Sequence, residues 1–151
     1  MASTHISRPQ IVAAARSWLG TPYHHQGRAK GAGVDCIGLI IGVAKGLGVS
    51  QFDTLSYGRL PSGAALREGL QAHAHAAQGA WLPGQIVLLR FDAEPAHLGI
   101  LGDYPGSANG LSLIHAYSHS GCVTEHRLAD VWRARVVQRF EFPGLPISKA
   151  V

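Results

Sequence analysis

The spacing of hydrophobic positions changes character about halfway along the chain. In the first half apolar residues recur at helical steps, and Ile11, Val12, Ala15 and Trp18 share one face. Ser7-Arg8-Pro9-Gln10 stands ahead of them as a Ser-x-x-Gln capping box, with proline in the first turn where its missing N–H costs nothing. Gly20 is placed to end that helix. Residues 21–34 read as a loop, with Pro22, three glycines, the pair His24-His25 and two basic residues. From Asp35-Cys36 onward, Ile37, Leu39, Ile40, Ile41, Val43, Ala44 and Leu47 fall on every side, which predicts a buried central helix. Gly46 and Gly48 stop it. A third helix is expected over 64–78, with Leu66, Leu70 and His73 on one stripe.

After Pro83-Gly84 the period shortens to two. Residues 85–90, 97–102, 111–118, 122–128 and 133–142 read as strands, separated by turns such as Tyr104-Pro105-Gly106-Ser107 and His119-Ser120-Gly121. Helices followed by a run of strands predict an α+β fold, with N-terminal helices packed on an antiparallel sheet. The chain reads as a single domain, 1–151, with a core of about 7–142 and a tail over 143–151. No internal repeat or low-complexity segment interrupts it.

Composition narrows the function classes. Hydrophobic residues are 46% and charged ones 15%, enough apolar material for a packed core and too much for a disordered chain. The formal charge of +4 would favour anionic partners, but the 13 Lys and Arg are scattered, so no direct nucleic-acid site is expected. The N-terminus carries no apolar stretch of signal-peptide length, and the run around Ile37 to Val49 is broken by glycines and Lys45. Synthesis in the cytoplasm, no membrane insertion and delivery by something else are the expectations.

The candidate chemistry centres on Cys36. Asp35 can cap the helix, which puts the thiol in the first turn, where unpaired N–H groups and the helix dipole favour an anion. A free thiol titrates at about 8.5, and a helix N-terminus or a neighbouring imidazolium lowers that to roughly 3.5–7.5. The same N–H groups can form part of an oxyanion hole. His97 begins a strand after the loop Asp92-Ala93-Glu94-Pro95-Ala96, where a general base for Cys36 would need to stand. His115 lies in the apolar strand Leu113-Ile114-His115-Ala116-Tyr117, where it could bond the far nitrogen of His97 and fix its tautomer. Taken alone, each has a plain structural reading: a small buried hydrophobe, a loop histidine, a core histidine. His24 and His25 line the cleft or are solvated. His73 and His75, two apart on a helix, make a poor metal pair, and no metal site or cofactor is expected. His5, His119 and His126 read as surface residues, and Cys122 as a packed strand residue.

Taken together these residues resemble a known family. Leu19-Gly20-Thr21-Pro22-Tyr23 followed by Asp35-Cys36-Ile37-Gly38-Leu39 resembles the start of the NlpC family of papain-like cell-wall cysteine peptidases. Pro83-Gly84-Gln85-Ile86-Val87, then His97-Leu98-Gly99-Ile100-Leu101, resembles its base-bearing strands, and Leu113-Ile114-His115-Ala116 its third catalytic position. The resemblance implies a helical half carrying the cysteine against a five- to six-stranded antiparallel sheet carrying the histidines. It implies cleavage of peptidoglycan stem peptides next to D-glutamyl or diaminopimelyl residues, with Cys36 as nucleophile, His97 as base and His115 as orienter. Tyr23 and Asp35 match cleft-lining positions, where the tyrosine can assist the oxyanion and the aspartate can meet the substrate's free amine. Ile37 stands where the family usually has serine, which bears on the preferred stem peptide.

The strings 20–26 and 30–36 look most like the branch found in phage tails and gene transfer particles. That implies tail-hub or tail-tip partners and action in the wall of a target cell. A structural tail-hub protein with little or no catalysis is the alternative reading, and an acyltransferase or amidase using the same Cys–His pair is a third.

Overall fold

The computed structural model describes residues 5–58, 62–93, 95–104 and 110–146. The first helix, α1 (Arg8–Arg16), begins at the expected capping box: the Ser7 hydroxyl accepts from the Gln10 amide, and the Gln10 side chain accepts from the Ser7 amide. It ends four residues before Gly20. The chain needs those residues to turn across the sheet, where the Gly20 amide donates to the Val123 carbonyl. Residues 21–34 hold more order than a loop, because β1 (Arg28–Ala29) and β2 (Gly33–Val34) form a short antiparallel ribbon. The central helix, α2 (Cys36–Gly46), starts where the pattern put it, capped by Asp35.

The third helix, α3 (Gly63–His73), stops short of expectation. Ala74 is extended, and β3 (His75–Ala76) pairs with a distant strand. Sheet pairing outweighs the helical preference of alanine there. Because His75 leaves the helix, the two-apart reading of His73 and His75 no longer applies. Then come β4 (Ile86–Arg90), β5 (Pro95–Asp103), β6 (Leu111–Tyr117), β7 (Cys122–Arg127), the one-turn helix α4 (Asp130–Arg133) and β8 (Val136–Glu141). The short α4 fills the gap between the last two expected strands and takes the first residue of the last, Arg133, so that β8 starts at Val136. The turn expected at 104–107 lies largely outside the described residues, whereas the one at 119–121 closes on Gly121 at φ 80°.

The six strands form one antiparallel sheet in the order β3-β8-β4-β5-β6-β7. Alternation divides its side chains. Ile86, Leu88, Leu98, Ile100, Ile114 and Phe140 bury against α1, α2 and α3, while Val87, Leu89, Leu101, Leu113 and Leu128 bury with Trp81 and Trp132 in a second cluster. Arg8–Glu141 and Arg16–Glu125 ion pairs fasten α1 to the sheet. Ile6 belongs to the first cluster and Leu145 packs against it, so the core reaches slightly beyond 7–142.

Candidate active site

The thiol wall of the site is built around one carboxylate. Asp35 caps α2 by accepting from the Gly38 amide at 2.7 Å, and the same oxygen takes the Arg28 guanidinium at 3.2 Å. Its other oxygen accepts from the Gln26 amide at 2.7 Å and from the Tyr57 hydroxyl at 2.7 Å. Arg28 is equally engaged, donating to Asp53, Thr54 O, Gly27 O and the Tyr57 oxygen. Lys45 closes the chain of charges on Asp53. Gly38 permits this closeness, because a side chain there would collide with the Gly27 carbonyl and the Arg28 guanidinium.

Cys36 follows as the first residue of α2 and is buried. Burial pushes its thiol up to about 12, the Asp35 carboxylate adds to the rise, and the amides of Leu98, Ile37 and Cys36 itself pull the other way. The helix N-terminus was expected to lower it. Desolvation and the adjacent capping anion outweigh the dipole here. A thiol shifted in this direction becomes a nucleophile only when a base takes its proton.

The opposite wall supplies one. His97 and His115 project from β5 and β6, and His97 Nε2 lies 2.7 Å from His115 Nδ1. Both are buried, and desolvation lowers His97 to about 4 and His115 to about 2, the latter helped by the neighbouring imidazoles. His97 is thus a neutral base at pH 7 whose Nδ1 remains for the cleft. Gly99 leaves the room: a Cβ there would lie 2.6 Å from Leu113 Cδ1 and 3.3 Å from His115 Cβ. The line continues, because His115 Nε2 lies 2.9 Å from His126 Nε2, and His126 Nδ1 lies 2.9 Å from the Arg127 carbonyl. The expected surface role of His126 is corrected by this contact. Leu113 pairs with His126, and Leu113 and His115 share a sheet face. Trp132 packs edge-on to His115 and Phe91 lies against His97, holding both rings.

Between the walls lies a cleft of about 160 Å³ lined by Cys36, His97, Tyr23, His25, Asp35 and Tyr57, with Ile37, Phe91 and Tyr117 at its sides. The structure thus brings the predicted Cys36, His97, Tyr23 and Asp35 to one cavity and puts His115 behind His97. Tyr23 is held there by a bridge to Val34 and by its amide donating to the Gly121 carbonyl. His25 joins the cleft edge-on to Tyr57, whereas His24 does not line it. Ile37 also lines an adjoining apolar cavity of about 150 Å³ under α3. Arg28, Tyr57 and His126 were missed by sequence reasoning. Only His126 had a usable signal: the hairpin turn at 119–121 fixes a register that puts it on the face of His115. Among the described residues no cluster of three or more His, Cys, Asp or Glu could hold a metal ion.

No sequence model of a protein family matches this chain, and no curated protein sequence does. Solved structures do match. An NlpC/P60 family protein from Bacillus cereus ATCC 10987 superposes with a TM-score of 0.65 at 17% identity, over 93% of this chain and 42% of that one. The NlpC/p60 domain of the peptidoglycan hydrolase SagA gives 0.56 at 19% identity, over 91% of this chain and 100% of that domain. Ly7917, solved with the hydrolyzing product of MDP, gives 0.59 at 18%, over 91% and 63%. The chain spans under half the length of the Bacillus cereus protein. Its fold is the papain-like α+β fold of the NlpC/P60 proteins.

Proposed function

We propose that this chain is a cysteine peptidase that cleaves peptidoglycan stem peptides. The observation that carries the reading is the shared cleft: a thiol at the head of a buried helix lines the same cavity as a neutral, desolvated imidazole whose far nitrogen is held by a second imidazole. His97 Nδ1 takes the Cys36 proton as the sulfur attacks the scissile carbonyl carbon. The carbonyl electrons move to oxygen, where the Cys36 and Ile37 amides and the Tyr23 hydroxyl stabilise the oxyanion. Collapse breaks the C–N bond, and His97 returns the proton to the leaving amine. Water then attacks the thioester, giving a proton to His97, and the departing sulfur recovers it as a thiol.

The substrate class rests on the sequence motifs and on the neighbours, one of which is a peptidoglycan hydrolase and another of which was solved with the hydrolyzing product of MDP. The setting, a phage-like tail tip that opens the wall for DNA entry, rests on the strings 20–26 and 30–36. Wild-type protein added to purified sacculi is expected to release soluble fragments, and Cys36→Ala is not. Release by Cys36→Ala at the wild-type rate would remove the assignment. Mass spectrometry of purified phage-like particles should find this chain in the tail fraction, and its absence there would remove the tail setting.

A further inference from the structure

We propose that the cleft accepts stem peptides whose amino end is already acylated, in preference to peptides with a free amine. The inference rests on the peptidase reading and names the substrate class of the same site. A carboxylate has about four lone-pair positions. Asp35 fills all four, with Gly38 N, Arg28 Nη1, Gln26 N and the Tyr57 hydroxyl, and it is 2% exposed. Its charge is balanced by a guanidinium that is itself locked to the segment 53–57. Asp35 is the only carboxylate lining the cleft among the described residues, so no anion there is open to an ammonium group. To reach Asp35, an incoming amine would have to displace Tyr57 and compete with Arg28 for the same charge. A neutral amide at that end needs no such partner. Stem peptides still joined to the glycan present that amide.

The test uses the tripeptide L-Ala-γ-D-Glu-diaminopimelate and its N-acetyl form, each incubated with wild type, Tyr57→Phe and Arg28→Met, the variants first checked for a retained melting transition. Wild type is expected to cleave the N-acetyl peptide with a kcat/KM about tenfold higher, the size of one lost charged contact. Tyr57→Phe, which frees one Asp35 lone pair, should reduce that preference, and Arg28→Met should reverse it. A wild-type preference for the free amine, or a ratio unmoved in a folded variant, overturns this inference while leaving the peptidase reading intact. Cleavage of neither peptide overturns both.

A separate observation assigns His126 as a positioning residue. A carbonyl only accepts, so His126 Nδ1 carries the proton that it donates to Arg127 O. With that as its only proton, His126 accepts at Nε2 from His115 Nε2, and His115 Nδ1 accepts from His97 Nε2. One backbone carbonyl thereby fixes three tautomers and leaves the lone pair of His97 Nδ1 for the cleft that Cys36 also lines. Long-range ¹H–¹⁵N spectra of the resting protein should show His97 protonated on Nε2 and bare on Nδ1. His126→Leu should give His97 mixed tautomers and lower kcat/KM about tenfold or more, while His126→Gln, whose amide can accept and donate at the same places, restores both. A wild-type His97 protonated on Nδ1, or equal behaviour of the Leu and Gln variants, overturns the assignment, and the spectra decide it without any substrate.

Discussion

The two walls of the cleft treat polar atoms in opposite ways. On the helix wall every acceptor of Asp35 is filled, and the charges of Lys45, Asp53, Arg28 and Asp35 alternate along one chain of contacts. On the strand wall His97, His115 and His126 form a line of hydrogen-bonded rings that leaves one ring nitrogen, His97 Nδ1, for the cavity. The filled network anchors the segment 53–57 and the head of α2. The incomplete one is where a proton can move. Reactivity is thus located by what is left unbonded rather than by how many charged groups stand nearby.

Substitutions can break this contrast from either side. The largest effect is expected from His97→Ala, which removes the open acceptor of that line: kcat should fall by about 10²- to 10⁴-fold, the range of a lost general base, in protein that still unfolds cooperatively. Asp35→Asn tests the other wall, because it strips the charge from Arg28's buried partner while keeping the shape. We expect a stability loss of about 3 kcal/mol in urea unfolding, with retained slow turnover in whatever fraction is folded. Comparable damage to turnover from both substitutions would mean that the walls do not divide the work.

A pH series sharpens the same point. His97 and His115 have native values depressed from 6.5 to about 4 and about 2, so the unfolded chain binds their protons first. Their contribution is complete above pH 6.5 and is lost as pH falls through the native values, and His97 alone should cost the fold on the order of 3 kcal/mol at pH 4. The acid limb of kcat/KM should lie near pH 4 rather than 6.5, since the base stays neutral until then. A limb at the ordinary histidine value would show a solvated His97. The smallest effect is expected from Ile37→Ser, which removes a side chain shared by the cleft and the apolar cavity. Relative rates on different stem peptides should change several-fold, about 1 kcal/mol of apolar contact, with a stability loss of about 1 kcal/mol because Ile37 also packs on the core.

Much of this fold was legible in the sequence because its signals are local. The Ser7 capping box, the all-round apolar run after Cys36 and the two-residue period beyond Pro83-Gly84 each depend on neighbouring residues, and each appears where expected. The departures lie where distant pairing decides. The strand His75–Ala76 exists because β8 offers it an edge, and α1 ends early because Gly20 bonds across to Val123. The same division runs through the site. Cys36 and His97 stand out by their local settings, an Asp-Cys helix start and a strand-opening histidine. Arg28 and Tyr57 do not, because a ribbon and an irregular segment bring them to Asp35 from 7 and 22 residues away. The shift of Cys36 was read in the wrong direction, since it depends on how fully the folded chain excludes water.

The most direct test of the peptidase assignment is incubation of defined stem peptides with wild-type protein and with Cys36→Ala, the products being read by mass spectrometry. A single cut in each accepted peptide is expected from the wild type, and none from folded Cys36→Ala. Equal cutting by both proteins, or no cut by folded wild type in any stem peptide, would contradict the assignment.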